Sequence, residues 1–149
     1  MYDLLVYAHI VSAVVWVGGA VAIQALAVRV ERSDPAMAPA LARHMEALGR
    51  WLFAPAALVI LISGAAMTIQ AWSFGQLWIA MAVALWVVSA VGGAVYLGPR
   101  AKRAAESFEA EGPTSVTGLR LIRGLYLVSR LELVSFAVII ALMVFKPGS

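Results

Sequence analysis

The chain has 149 residues, of which 63% are hydrophobic and 13% are charged, and its formal net charge is +3. Soluble domains usually contain about 45–50% apolar residues, so a soluble domain could not bury this much apolar surface, and lipid is the expected solvent. The sequence contains no cysteine, which excludes disulfides, thiolate metal sites and cysteine nucleophiles.

Four stretches are long enough and apolar enough to cross a bilayer, which takes about 20 residues. They cover residues 4–28, 51–71, 77–97 and 125–145. No basic residue precedes the first stretch, and it is longer than the roughly 7–15 apolar residues of a signal peptide, so we interpret it as a retained helix. The sequence predicts an all-α membrane protein that forms one domain over residues 1–149, an antiparallel bundle of four transmembrane helices.

Basic residues are concentrated in the first and third connections between these helices. The first connection carries Arg29, Arg32, Arg43 and Arg50, and the third carries Arg100, Lys102, Arg103, Arg120 and Arg123. The second connection, residues 72–76, has no lysine or arginine. Because basic loops stay in the cytoplasm, this distribution predicts a bacterial-type cytoplasmic (inner) membrane protein with both termini on the outer side. Membrane orientation explains these basic residues better than binding to nucleic acid.

The first connection also has helical character. Ser33-Asp34-Pro35 is typical of a helix start, with proline at the first helical position. Residues 36–50 are therefore predicted to extend helix two into the cytoplasm. Pro55 is expected to kink helix two, and Gly98-Pro99 to loosen or end helix three.

The first helix carries the most unusual residue of the chain. His9 lies within an apolar stretch, and Ser12, Trp16 and Gly19 follow it at helical spacing on the same face. A histidine in lipid needs a partner, and this face offers a hydroxyl, an aromatic side chain and a point of close approach. We predict that His9, Trp16 and Gly19 contribute to a cofactor site, although a hydrogen-bonded structural histidine would give the same pattern.

Methionines and histidines occupy two layers of the predicted bundle. Three methionines share the depth of His9 near the outer surface, and a second group lies in or near the cytoplasmic extension. The outer set is His9, Met67, Met81 and Met143, and the inner set is His44 and Met45 together with Met37. Thioether and imidazole ligands suit Cu(I), and they also suit haem iron. Methionine is equally a common filler of apolar cores, so both interpretations remain open.

Two charged residues lie within the apolar part of helix four. Arg130 is close enough to the start of that stretch for its side chain to reach the headgroups. Glu132 is deeper and shares a stripe with Ser129 and Ser135, so it is expected to face the bundle interior. Residues two apart point about 200° away from each other, so the two do not pair. Glu132 is left with either an arginine from another helix or a role in proton or cation binding.

Several short motifs resemble known membrane families. His9-x6-Trp16-x-Gly18-Gly19, followed by Arg50, Ser63-Gly64 and Leu77-Trp78, resembles the copper-resistance D (CopD-like) membrane domain. The layout is also distantly similar to the HemJ-type protoporphyrinogen oxidases, through His9 and the closing residues 144–147. These resemblances imply copper handling or haem binding at His9. The lysine that the HemJ-type enzymes have early in helix three is replaced by Ala80 beside Met81, and their helix-four motif reads Ser129-Arg130-Leu131-Glu132.

Three functions therefore remain open from sequence. The first is binding or transport of Cu(I) at the His/Met layers. The second is a redox role with b-type haem at His9, which is the one form in which we would expect an enzyme. The third is a structural or accessory subunit without metal. A homodimer or a complex with other membrane subunits is expected, because four helices are few for a complete transport path.

Overall fold

The computed structural model describes residues 1–148, and over this range every regular element is helical. Four helices are long and apolar enough to cross a membrane: α1 (Tyr2–Ser33), α2 (Pro35–Ala71), α3 (Leu77–Glu111) and α4 (Val116–Phe145). They contain the four predicted apolar stretches, so the all-helical class and the number of spanning helices are confirmed. Each helix is longer than its apolar stretch, because amphipathic and charged turns extend it.

The middle two helices are continuous but not uniform. α2 begins with a 3₁₀ turn (Pro35–Met37), continues as α-helix (Ala38–Leu48), widens into a π-helical segment (Gly49–Phe53) and returns to α-helix (Ala54–Ala71). α3 follows the same scheme, with α-helix (Leu77–Val91), a π segment (Gly92–Leu97) and a second α-helix (Gly98–Glu111). The predicted extension of helix two is thus helical, and Gly98-Pro99 does not end helix three.

The two π segments have a common cause in the sequence. Pro55 follows the first π segment and Pro99 follows the second. Proline lacks an N–H, and its ring crowds the carbonyl group one turn earlier. A widened turn before the proline relieves that crowding without ending the helix. The prolines therefore loosen both helices at the same level of the bundle.

The largest cluster of buried side chains lies at one end of the bundle, which we call the basic end because the arginine-rich segments meet there. A cluster of buried side chains joins all four helices, and Leu125 at its centre is 0% exposed. Gly118 admits Phe108 so closely that a Cβ atom at Gly118 would lie 2.7 Å from the phenyl ring. The cluster comprises Ala27, Val30, Ala38, Leu41, Ala42, Ala101, Ala104, Phe108, Ile122, Leu125 and Tyr126.

The opposite end, which we call the aromatic end, is closed by indole rings. Trp72 and Trp78 make an edge-to-face contact with ring centroids 5.4 Å apart. The ammonium group of Lys146, just after α4, lies 4.4 Å from the Trp72 ring centroid. The end of α4 therefore meets the turn between α2 and α3, and the antiparallel bundle stays a prediction. Which end faces the cytoplasm stays a prediction.

Candidate functional site

His9 lies at a closely packed seam between α1 and α2. Its Nδ1 atom is 3.0 Å from the Ser63 hydroxyl oxygen, and its ring covers Gly64. A Cβ atom at Gly64 would lie only 3.2 Å from His9 Cε1. About three helical turns further along α1, a Cβ atom at Gly19 would lie 2.6 Å from the Phe53 ring. We call these five residues the α1–α2 seam.

The hydrogen bonds of Ser63 favour one tautomer of the His9 ring. The Ser63 hydroxyl donates to the backbone carbonyl of Val59. Its oxygen is then free to accept a hydrogen bond from His9 Nδ1–H, in the tautomer that carries the proton at Nδ1. Nε2 therefore carries the lone pair and can act as an acceptor or as a metal ligand. Histidines that bind metals usually donate their other ring N–H to a second group, as His9 does to Ser63.

The predicted methionine ligands do not all share this environment. Met67 lies one helical turn beyond Ser63 on α2 and is half-buried. Met81 on α3 and Met143 on α4 are 42% and 37% exposed, so their side chains lie on the outer surface of the chain. Among residues 1–148 no group of three or more histidine, aspartate or glutamate side chains could hold a metal ion. The copper and haem assignments stay predictions.

The two predicted ligands of the inner layer, His44 and Met45, also lie in different environments. His44 is exposed on α2, whereas Met45 is half-buried and lines a cavity inside the bundle. His44 and His9 lie on opposite sides of the π segment of α2.

A cavity of about 640 Å³ lies in the middle of the bundle, towards the basic end, and we call it the central cavity. Its floor is formed by buried residues of α1 and α4, including Trp16, Ala20 and Ser129. Its rim includes exposed residues of α2 and α3, such as Leu58 and Ala94. The cavity therefore opens sideways, between the membrane-spanning parts of α2 and α3, towards the position of the lipid. Both π segments contribute to its wall.

The walls of the central cavity are mainly apolar, with a few polar groups at defined places. The indole rings of Trp16 and Trp86 line it, and Trp16 is held by a contact with Phe136, with ring centroids 5.0 Å apart. The Trp86 Nε1–H is buried and has no hydrogen-bond partner within the described chain. Ser129 and Glu132 reach the cavity from α4.

The two charged residues of α4 have different surroundings. Arg130 lies 3.7 Å from the Glu31 carboxylate of α1, and both side chains are about half exposed. Glu132 is partly buried, lines the central cavity, and takes part in no ion pair among residues 1–148. No arginine of another helix within residues 1–148 pairs with Glu132, and the interhelical ion pair of α4 is instead the one between Arg130 and Glu31.

Sequence reasoning identified Trp16 and Glu132 but not the central cavity to which both contribute. It also missed the cavity's contributions from Phe53, Trp86 and Ala90. A signal for it exists in the sequence, because each π segment begins with glycine and precedes a proline. Those segments place small residues of α2 opposite small residues of α3.

Helices of this length and apolar composition, packed around a laterally open cavity, define an integral membrane protein. A family profile described as "Predicted integral membrane protein (DUF2269)" matches residues 3–147. The chain belongs to this family, whose description names no activity. No curated protein and no solved structure gives a significant match.

Proposed function

We propose that this protein binds a lipid-soluble molecule within the membrane and holds it in the central cavity. The cavity itself is the observation that carries the proposal. Its volume of about 640 Å³ lies within the range of about 300–1,000 Å³ that is usual for small-molecule sites. Its opening between α2 and α3 faces the bilayer, so a hydrophobic molecule can enter without passing through water.

The composition of the cavity wall supports a bound molecule rather than empty space. Apolar walls that face a void lose dispersion contacts, which destabilises a protein unless something fills the space. The unpartnered Trp86 N–H and the Glu132 carboxyl provide polar groups in an otherwise apolar wall. Apolar walls with a few well-placed polar groups are typical of ligand sites.

The two π segments support the same conclusion. π-Helical turns are rare and are frequently found at functional sites. Here they lie on two different helices and both border the central cavity, through Gly49 and Phe53 on α2 and Gly93 on α3. The wider turns keep the two backbones from closing the space between them.

Extraction of the purified protein tests the proposal. Ala90 lines the cavity, whereas Ala84 lies on the exposed surface of the same helix. Organic extracts of the wild type and of the Ala90→Phe and Ala84→Phe variants, purified in the same detergent, are compared by mass spectrometry. We expect a molecule present at about one copy per chain in the wild type and in Ala84→Phe, and lost from Ala90→Phe. Equal extracts from all three proteins would contradict the proposal.

A metal or haem at His9 is a second candidate function, favoured by the free Nε2 lone pair of this residue. His9 is not among the residues that line the central cavity, so this candidate is a separate proposal. Cu(I) with His9 and Met67 as ligands needs little space between α1 and α2. Haem needs the room of a flat macrocycle beside His9.

Visible absorption and Cu(I) titration distinguish these alternatives. A Soret band that disappears in His9→Ala but persists in His44→Ala would indicate haem. A colourless wild type that binds one Cu(I), with the same dependence on His9, would indicate copper. If neither ligand binds, His9 has a structural role, through its hydrogen bond to Ser63.

A further inference from the structure

We propose that the molecule held in the central cavity is a lipophilic monocation whose charge is balanced by the Glu132 carboxylate. This inference rests on the proposed function, because it names the chemical class of the molecule bound at the same site. It is carried by the position of Glu132, the pairing of the other charges near it, and the aromatic rings that surround it.

Glu132 lies near the middle of α4, where an ionisable side chain in lipid is costly and usually functional. Its carboxylate would be stabilised there by an opposite charge. The nearest arginine in sequence, Arg130, is directed to Glu31 at 3.7 Å and does not line the cavity. No lysine or arginine among residues 1–148 forms an ion pair with Glu132. The missing countercharge can therefore be supplied by a ligand.

Two cationic side chains, Arg50 and Lys102, also line the cavity, but neither is available to neutralise Glu132. Arg50 is paired with Glu46 at 2.6 Å, and Lys102 is paired with Glu106 at 3.8 Å. Each pair is formed within one turn of one helix, so each cation already has a neighbouring carboxylate. Glu132 is then the one carboxyl group of the cavity wall without an ion-pair partner in the described chain.

The aromatic groups of the cavity suit a cation that carries apolar substituents. Trp16, Phe53 and Trp86 all line the space that Glu132 reaches. The faces of aromatic rings attract cations, most strongly in the case of tryptophan and where water is excluded. An organic cation with apolar groups would satisfy the carboxylate and fill the apolar walls together. A small hydrated ion would leave most of the cavity unfilled.

Two probes of nearly equal shape and opposite charge test the proposal: tetraphenylphosphonium and tetraphenylborate. Binding of each to the purified full chain in neutral detergent is measured by equilibrium dialysis. We expect tetraphenylphosphonium to bind at least tenfold more tightly than tetraphenylborate. Equal binding of the two, or tighter binding of tetraphenylborate, would overturn the inference.

Variants locate the site and provide the controls. Glu132→Gln is expected to weaken tetraphenylphosphonium binding at least tenfold, and Glu132→Asp to restore part of it. Glu31→Gln removes a carboxylate of α1 outside the cavity and is expected to leave binding unchanged. Ala90→Phe fills the cavity and should abolish binding, while the surface variant Ala84→Phe should not. Circular dichroism and gel filtration establish that each variant is folded before binding is measured.

The outcomes also separate this inference from the proposed function. If Glu132→Gln binds tetraphenylphosphonium as the wild type does, the cation inference is wrong. The same holds if neither probe binds the wild type. In both cases a molecule extracted from the wild type but not from Ala90→Phe would still support binding in the cavity. Loss of that difference would remove the proposed function as well.

Discussion

Small residues lie where α2 faces α1 and where it faces α3. The first interface is closely packed, whereas the second contains the central cavity. Towards α1, Gly19 and Gly64 each receive a ring from the other helix, Phe53 on Gly19 and His9 on Gly64. Towards α3, the small residues of α2 meet small residues again, since Ala54 and Ala57 share the central cavity with Ala90, Gly93 and Ala94.

The difference shows what small residues do in a membrane protein. A glycine allows close packing only when a larger group from the neighbouring helix occupies the space it leaves. When both sides are small and the backbones are held apart by π segments, the space stays open. The same residue types therefore produce a closed seam on one side of α2 and a binding cavity on the other.

The largest expected effect concerns the orientation of the protein in the membrane. This orientation determines whether the central cavity or His9 is nearer the cytoplasm. Alkaline phosphatase is active only outside the cytoplasm. Fused after residue 149, or inserted at Gly75 in the turn between α2 and α3, it should be active. Inserted at Gly112, in the turn between α3 and α4, it should be inactive. The reverse pattern would place the basic end, and with it the central cavity, on the outer side.

The next effect tests whether the seam is as close as the glycine contacts indicate. Gly19→Leu must displace the Phe53 ring, which would lie 2.6 Å from the new Cβ atom. We expect a loss of about 1–3 kcal/mol in the free energy of unfolding, as is usual for overpacking. Unfolding of the detergent-solubilised protein by dodecyl sulfate measures it.

Gly18→Leu is the matched control for this change. Gly18 is the preceding residue of α1, and no other atom of the described chain lies within 4 Å of a Cβ atom placed there. Both variants gain the same helix propensity, so their difference reports the contact with Phe53. Equal stability of the two variants would mean that Phe53 moves away without cost and that the seam is loose.

The sequence predicted the four helices well because their signal is additive and local. A run such as residues 4–28 or 125–145 is predicted to span the membrane from its length and apolar composition alone, and both can be read directly from the sequence. The helical extension before Trp51 was also predictable, from the proline at its start and from its amphipathic pattern. These properties do not depend on which helix lies beside which.

The central cavity could not be predicted in the same way, because it depends on the partners of each face. Glu132 was expected to face inwards, but its lack of an ion pair within residues 1–148 follows from where Arg130 and Glu31 meet in space. Met67, Met81 and Met143 were grouped by depth alone, and depth does not tell which side of a helix a residue occupies. Two of the three lie on exposed surfaces.

A smaller effect, of opposite sign, is expected where α3 lines the central cavity. In protein freed of the bound molecule, Ala90→Leu adds apolar volume where the wall faces open space, so it should raise the free energy of unfolding by about 0.5–2 kcal/mol, as cavity filling commonly does. Ala84→Leu, on the exposed surface of the same helix, controls for the change of residue type. Destabilisation by Ala90→Leu relative to Ala84→Leu would show that the space is not free to be filled.

The smallest effect tests whether the seam is held by polar contacts as well as by shape. Ser63→Ala leaves His9 Nδ1–H without its acceptor at 3.0 Å, and hydrogen bonds between membrane helices contribute about 0.6 kcal/mol on average. Ser89→Ala, on the cavity side, removes only a 3.4 Å contact with Ser135 and should cost less. Double-mutant cycles, Ser63→Ala with His9→Ala and Ser89→Ala with Ser135→Ala, isolate each pair. Equal coupling energies in the two cycles would mean that the seam differs from the cavity only in packing.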